Sequence, residues 1–252
     1  MSLEWSLPAI VLDARPYGEG GAIATVLTPE AGARRGLVRG GSGRTHSATW
    51  QVGNLIHARW TARVEGQLGT LTGEAAAQPA GAVLDDPLGL AVLRAACAVA
   101  AGALPEREPH GRVFVGLADL LTRLAPGRAG LAALIRWEAA LLDDLGYGLD
   151  FSACAQTGAL DDLAWVSPRT GRALSADAAA SAAMRPYRDR LLPLPPLLLD
   201  DTVAGDAAQW ADGLRLTGHF LARDAFGIAH RPLPPARIEL YDRVVRGTTP
   251  NG

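Results

Sequence analysis

The stretch AIVLDARPYGEGGAIATVLTPEAGARRGLVRG, residues 9–40, decides the fold. It reads as three short β-prone runs, Ala9–Ala14, Ala22–Leu27 and Arg34–Arg39, with a turn after each of the first two. The first turn is Arg15-Pro16-Tyr17-Gly18-Glu19-Gly20-Gly21 and the second is Thr28-Pro29-Glu30-Ala31-Gly32. Both hold the Gly and Pro that break regular pairing. A glycine-rich loop, Gly40-Gly41-Ser42-Gly43-Arg44-Thr45-His46-Ser47, follows the third run. Leu55–Val64 predicts a fourth strand, in which Ile56, Ala58 and Trp60 alternate with His57 and Arg59, and Gln67–Glu74 predicts a fifth. Five short strands within about seventy residues suit a small barrel, because closure removes exposed strand edges. The five-stranded ligand-binding barrel most often built this way is the OB-fold.

Beyond residue 82 the apolar period lengthens from two to between three and four. Asp85-Asp86-Pro87 predicts a helix start, with carboxylates near the first turn and proline at an early helical position. The helix it opens is expected to run to Ala101. Val113, Phe114, Leu117, Leu120, Leu121 and Leu124 form one helical stripe, and Leu131, Leu134, Ile135, Leu141, Leu142 and Leu145 form another, ended by Gly146. A short helix is expected over Ala176–Met184, a proline-punctuated extended segment over Leu191–Leu199, and a last helix over Asp206–Ala225 with Trp210, Leu214, Phe220 and Leu221 inward. The chain is therefore expected to be multi-domain α+β. A five-stranded OB-fold barrel over residues 1–80 precedes a mainly α-helical domain over 81–252, which includes an irregular subdomain near 150–180.

Charge is distributed unevenly. No Asp or Glu occurs from Arg34 to Val64, while the same window holds Arg34, Arg35, Arg39, Arg44, Arg59 and Arg63 with His46 and His57. The whole chain sums to only -2, so this positive charge is local. All 24 basic residues are arginine, which together with much Ala, Gly and Pro points to a codon bias. The clustering is the informative feature, because base composition does not remove acids from a window. A basic stripe on a small sheet suits a single-strand nucleic-acid groove, and an ordinary solvated basic face is the alternative.

Length allows one or two domains with a sizeable core. The first residues carry Glu4 and reach Pro8 before any long apolar run, so no signal peptide is expected. The apolar stretches around Leu90–Leu104 and Leu191–Leu199 are interrupted by Arg94 and by Pro193, Pro195 and Pro196, so no membrane span is expected. Two cysteines, Cys97 and Cys154, cannot build a disulfide framework, and a reduced cytoplasmic protein is expected.

Catalytic motifs are missing from the sequence. The glycine-rich loop fits no phosphate-loop register, and a dinucleotide fingerprint starting at Gly18 fails at Ile23. His46, His57, His110, His219 and His230 have no ligand or triad spacing, and the pairs Asp143-Asp144, Asp161-Asp162 and Asp200-Asp201 point apart on any regular element. An enzyme reading finds no support, and no cofactor is expected.

Two segments in combination resemble a known family. One is Arg15-Pro16-Tyr17-Gly18-Glu19, followed by Thr28-Pro29-Glu30-Ala31-Gly32 and Gly36-Leu37-Val38-Arg39-Gly40. The other is Leu141-Leu142-Asp143-Asp144-Leu145-Gly146-Tyr147-Gly148-Leu149-Asp150-Phe151-Ser152-Ala153-Cys154-Ala155. Between them, Glu65-Gly66-Gln67-Leu68-Gly69-Thr70-Leu71-Thr72 fits the family's fifth strand. The pattern resembles the bacterial recombination mediator RecO over most of the chain. That resemblance implies an OB-fold, a helical domain and no catalytic centre. It implies binding of single- and double-stranded DNA and annealing of complementary strands. It also implies loading of recombinase with RecR onto DNA coated by single-strand-binding protein, contact with that protein's acidic, Phe-ended tail, and a place in the bacterial cytoplasm at the nucleoid. Many members hold zinc with four cysteines that begin at the position of Cys154 and continue C-x-x-C. Here Thr157 stands second and Trp165–Ser175 has no cysteine, so a zinc-free version is expected.

The candidate DNA contacts are Arg15, Arg34, Arg35, Arg39 and Arg44 for phosphate, with Tyr17 and Trp50 for stacking. Trp50 has barrel packing as its alternative role. Arg59 and Arg63 are placed on another barrel face. For the acidic tail the candidates are Arg128, Arg136 and Trp137, a cation beside an apolar side chain. The alternative there is Trp137 as core and Arg136 as a surface charge. At the level of the whole protein, the competing reading is a protein-interaction adaptor whose barrel does not bind DNA.

Overall fold

Alternation along five strands builds a closed barrel in the order β1-β2-β3-β5-β4. The computed structural model describes residues 3–40, 48–64, 66–124 and 130–248. β1 is Leu3–Tyr17, β2 Gly21–Thr28, β3 Gly32–Val38, β4 Leu55–Ala62 and β5 Gly69–Ala77. Every neighbouring pair is antiparallel except β3 and β5, which are parallel over only Gly36↔Gly69 and Leu37↔Thr70. The core holds Val11, Ala24, Val26, Val38, Ile56, Ala58, Trp60 and Leu71, one residue in two along each strand, as a half-buried sheet requires. Trp50 belongs to the same core and is 4% exposed, so packing is its role.

β1 is longer than its sequence predicts. Residues Leu3–Ile10 pair with β4 and Ile10–Tyr17 pair with β2, with a bulge between Val11 and Asp13 where the strand changes partners. The expected turn at Arg15–Gly21 contracts to Gly18–Gly20. Pro16 stays within the strand because that half pairs on one side only, where a missing N–H is tolerated. β5 also shifts, from the expected Gln67–Glu74 to Gly69–Ala77. Ala75 and Ala77 are weak strand formers held by pairing with Ile56 and Leu55.

A single helical turn at Pro79–Ala82 leads to two longer helices, α1 at Pro87–Ala103 and α2 at Gly111–Arg123. Asp86 caps α1 by accepting from the Leu88 and Gly89 N–H groups. α1 packs on β1 and α2 on β2. These contacts explain why Ile10 and Leu27, which face away from the barrel core, are fully buried. Contacts divide the chain into two compact units, Met1–Gly130 and Leu131–Gly252, so both helices group with the barrel.

In the second unit, α3 spans Leu131–Asp144, α4 Ala176–Ala180, α5 Ala207–Phe220 and α6 Pro235–Thr248. α5 starts from an Asp206 cap and continues as a π-helical turn, Leu221–Ala225, matching the expected Asp206–Ala225. α4 stops at Ala180, short of the expected Met184, where Ser181 turns extended. The stretch read as irregular contains a small sheet, β7-β6-β8, from Leu163–Val166 (β6), Ala173–Ser175 (β7) and Leu192–Pro193 (β8). α6 was not anticipated, because its polar face dominates and Arg237 sits on its buried side. Arg237 is 1% exposed, and its Nε donates to Glu138 Oε1 at 2.5 Å and its Nη2 to Glu138 Oε2 at 2.9 Å. Arg237 Nη2 also donates to the Leu214 carbonyl, and Thr217 donates to Glu138 Oε2. This network ties α3, α5 and α6 together.

Two consequences are measurable by urea unfolding. A Cβ on Gly69 would lie 2.2 Å from Cε2 of Trp60, so Gly69→Ala should destabilise the chain by about 1–3 kcal/mol through overpacking. An unchanged midpoint would show that the seam between β3 and β5 can open. Arg237→Met strands the buried Glu138 carboxylate and should cost about 3–5 kcal/mol, most of it recovered when Glu138→Leu is added. No recovery in the double variant would mean that the pair contributes more than charge compensation.

Candidate nucleic-acid interface

Strand register sorts the candidate arginines by face. Arg15 pairs with Ile23 and Ile23 pairs with Leu37, so the three stand in one row. Alternation then places Arg15 and Tyr17 of β1, Ile23 and Thr25 of β2, and Arg35, Leu37 and Arg39 at β3 on the barrel's outer side. Tyr17 is 57% exposed there, and Arg39 is exposed. Arg15 is largely exposed and its Nε lies 2.8 Å from Asp13. Arg35 is half exposed, with Nη1 3.9 Å from Glu106 Oε1.

Arg34 belongs to the other row. It pairs with Val26, a core residue, and is partly buried. Its guanidinium lies over the Trp60 ring at 5.4 Å, and its Nε donates to the Ala31 carbonyl at 3.0 Å. Thus the sequence neighbours Arg34 and Arg35 diverge, and only Arg35 joins the outer row. Arg44 lies outside the described residues. Arg59 is tied to Glu4, 2.6 Å away, on the β1–β4 side, and Arg63 is exposed at the end of β4.

At the parallel seam the barrel wall opens into a cleft of about 340 Å³. Ile23, Arg34, Arg35 and Trp60 form its floor and walls, and Gly66, Gln67 and Leu68 from the β4–β5 loop form one rim. Glu106 and Arg107, from the loop joining α1 to α2, form the other. In OB-folds the β2–β3 face and the loops beside it carry oligonucleotides, and the cleft adjoins that face. Glu106 bridges to Ala33 in the manner of an added strand, and the Arg107 N–H donates to the Ala33 carbonyl at 3.0 Å. Gly32 makes this approach possible, since a Cβ there would lie 2.1 Å from the Glu108 carbonyl oxygen. Arg107 holds a left-handed backbone, φ 68°, which is costly for a bulky side chain and sets its exposed guanidinium at the rim. Sequence reasoning missed Arg107, since it lies some seventy residues beyond the strand it docks on; the signal available was Gly32 itself.

Two of the tail candidates, Arg136 and Trp137, occupy structural positions in the second unit. Trp137 is 5% exposed, in the core. Arg136 donates from Nε to the Leu197 carbonyl at 2.8 Å and from Nη2 to those of Asp200 and Val203 at 3.1 and 2.6 Å, with Asp201 at 3.3 Å. Its guanidinium thus fastens the loop after the proline segment. Arg128 lies outside the described residues.

The Cys154 position does not fit zinc. Its thiol is buried beside Leu174, Ala178 and Leu191, with Ser175 donating to Sγ at 3.6 Å. Burial alone would raise its pKa. Hydrogen bonds from the Thr157 hydroxyl, the backbone of Ser175 and Gln156, and the Ser175 hydroxyl outweigh that and bring it down to about 6. The loop cradles one thiolate, but hydroxyls stand where further thiolates would be needed for a structural tetrahedral site. Among the described residues no group of three or more His, Cys, Asp or Glu is placed to hold a metal ion, and no helix is long and apolar enough to cross a membrane. Cys97 lies buried within α1, and burial pushes its thiol up to about 12.

Comparison with known proteins agrees along the chain. Residues 1–79 match the family model described as "Recombination protein O N terminal", and residues 84–231 match "Recombination protein O C terminal". The chain is similar to proteins named "DNA repair protein RecO". That of Gluconacetobacter diazotrophicus is 56% identical over 247 residues, covering 96% of this chain and 95% of its own. That of Granulibacter bethesdensis is 55% identical over 244 residues, covering 96% of each chain. That of Acidiphilium cryptum is 55% identical over 247 residues, covering 97% of this chain and 96% of its own.

The Glu106 carboxylate competes with any phosphate for Arg35. Glu106→Gln should strengthen binding of a short single-stranded oligonucleotide about twofold at low salt, the scale of an exposed pair worth ~0.5 kcal/mol. Fluorescence anisotropy measures this, and an affinity equal to wild type would place Arg35 outside the contact.

Proposed function

The chain belongs to the RecO family of DNA repair proteins, and on that premise we propose that it binds single- and double-stranded DNA and anneals complementary strands. With RecR it helps to load recombinase onto DNA coated by single-strand-binding protein, whose acidic tail it contacts, in the bacterial cytoplasm at the nucleoid. The observation that carries the DNA-binding reading is the outer face of β1–β3, which carries Arg15, Arg35 and Arg39 together with the exposed Tyr17.

Annealing requires no bond to be made or broken in the nucleic acid backbone. It requires two polyanions to approach while their bases stay free to pair. Arginines on an open face neutralise phosphates and release condensed counterions, and their forked donors fix the backbone without reading sequence. Tyr17 offers a ring on which one base stacks, holding it unpaired but accessible. Arg34 works from below, since its guanidinium on Trp60 holds positive potential at the floor of the cleft. Arg107 extends the charge onto the rim.

The test is a salt titration of single-strand binding by Arg15→Ala/Arg35→Ala/Arg39→Ala. Each lost phosphate contact should flatten the plot of log K against log salt by about one unit, equally for all sequences. Tyr17→Leu should weaken binding by about 1–3 kcal/mol with the slope unchanged. Wild-type affinity and slope in the folded triple variant would turn the reading towards a protein-interaction adaptor.

A further inference from the structure

We propose a second nucleic-acid site, in the carboxy-terminal unit, on the 3-10 turn Arg185-Pro186-Tyr187-Arg188-Asp189-Arg190. All six residues are exposed, and Tyr187 is 55% exposed. From Ala178 to Leu199 the chain carries three arginines and one acid, Asp189. Of the other arginines in this unit, Arg136, Arg172, Arg223 and Arg237 each lie against a carboxylate. Among the described residues, Arg185, Arg188 and Arg190 make no ion pair.

The turn is displayed on a firm base. Met184, just before it, packs against the cluster of Cys154, Leu174 and Ala178, and Leu191, just after it, is part of that cluster. The Tyr187 N–H donates to the Met184 carbonyl at 2.9 Å and the Leu191 N–H to that of Arg188 at 3.1 Å. Leu192 and Pro193 then pair with β6. Side chains three apart in a 3-10 turn eclipse each other. Arg185 and Arg188 therefore form one row, and Tyr187 and Arg190 another. At about 2 Å rise per residue the two members of a row stand ~6 Å apart, a step suited to consecutive phosphates of an extended strand. A ring flanked by cations is the arrangement that binds single strands without reading sequence. A single strand presents a phosphate and a base at every step and so uses the guanidinium groups and the ring together, whereas an acidic peptide has no such regular alternation.

This proposal rests on the reading that the protein handles DNA, and it supplies what annealing needs, a place for the second strand. The test compares four full-length proteins: wild type, the barrel variant Arg15→Ala/Arg35→Ala/Arg39→Ala, the turn variant Arg185→Ser/Tyr187→Ser/Arg188→Ser/Arg190→Ser, and their combination. Circular dichroism and thermal unfolding establish that each is folded. Labelled single strands report binding, and complementary labelled strands report annealing. The turn variant should keep tight binding of one strand but anneal about tenfold more slowly, because the second strand has lost its counter-charges. The barrel variant should retain weaker, salt-sensitive binding that the combination abolishes. Annealing by the turn variant at the wild-type rate would overturn the second site. So would loss of binding to a labelled acidic peptide with annealing unchanged, which would assign the turn to a protein partner. Wild-type binding by the barrel variant together with loss in the turn variant would keep this site and remove the barrel reading instead.

Discussion

The hydrogen bond from the Trp60 indole to the Arg35 carbonyl, 3.0 Å long, holds the barrel's weakest joint. β3 and β5 share only two residue pairs, so the ladder alone closes the cylinder poorly. Trp60 reaches across from β4 and takes the β3 carbonyl as a partner. Its ring fills the space left by the absent side chain of Gly69 and stacks on Trp5 at 6.1 Å. The same ring carries the Arg34 guanidinium on its face. One aromatic side chain therefore braces the seam, forms part of the cleft and seats the Arg34 guanidinium. The β1–β2 and β2–β3 ladders set the register of Arg15 with Arg35, while the closure shapes the cleft in which Arg34 and Arg35 stand.

The carboxy-terminal unit has its own keystone. Glu138 and Arg237 are both buried, and a charge pair in that setting is tolerated only when its donors and acceptors are satisfied. Thr217 and the Leu214 carbonyl complete the set. The pair gains little over an apolar core of equal volume, and its bonds link three helices through named donors and acceptors. Around that fixed frame the unit displays exposed elements, the basic turn at Arg185–Arg190 among them.

Much of this was legible in the sequence because it depends on short-range pattern. Strand alternation at Ile56, Ala58 and Trp60, the helix start at Asp86-Pro87 and the last long helix from Asp206 appear where local chemistry places them. Local pattern failed where a distant partner overrode it. Arg15–Tyr17 looked like a turn and became strand because β2 pairs with it. α6 was hard to see because the stripe it buries, Arg237, Leu240 and Val244, opens with an arginine that makes sense only beside Glu138, 99 residues away. For the site, composition located the basic window but could not assign faces. Register does that, and it separates Arg34 from Arg35. The roles of Arg107 and Arg136 are long-range as well, one set by docking on Ala33 and the other by the loop carbonyls from Leu197 to Val203.

The central claim is that a single strand lies on the outer row of β1–β3 with a base against Tyr17. Photo-crosslinking of a single-stranded oligonucleotide carrying 5-halouracils in place of thymine, followed by peptide mapping, tests it most directly. A nucleotide adduct on Tyr17, lost in Tyr17→Leu and suppressed by salt together with binding, is the expected result. Adducts that form under binding conditions but never fall on Tyr17 or elsewhere within residues 13–39 would contradict it.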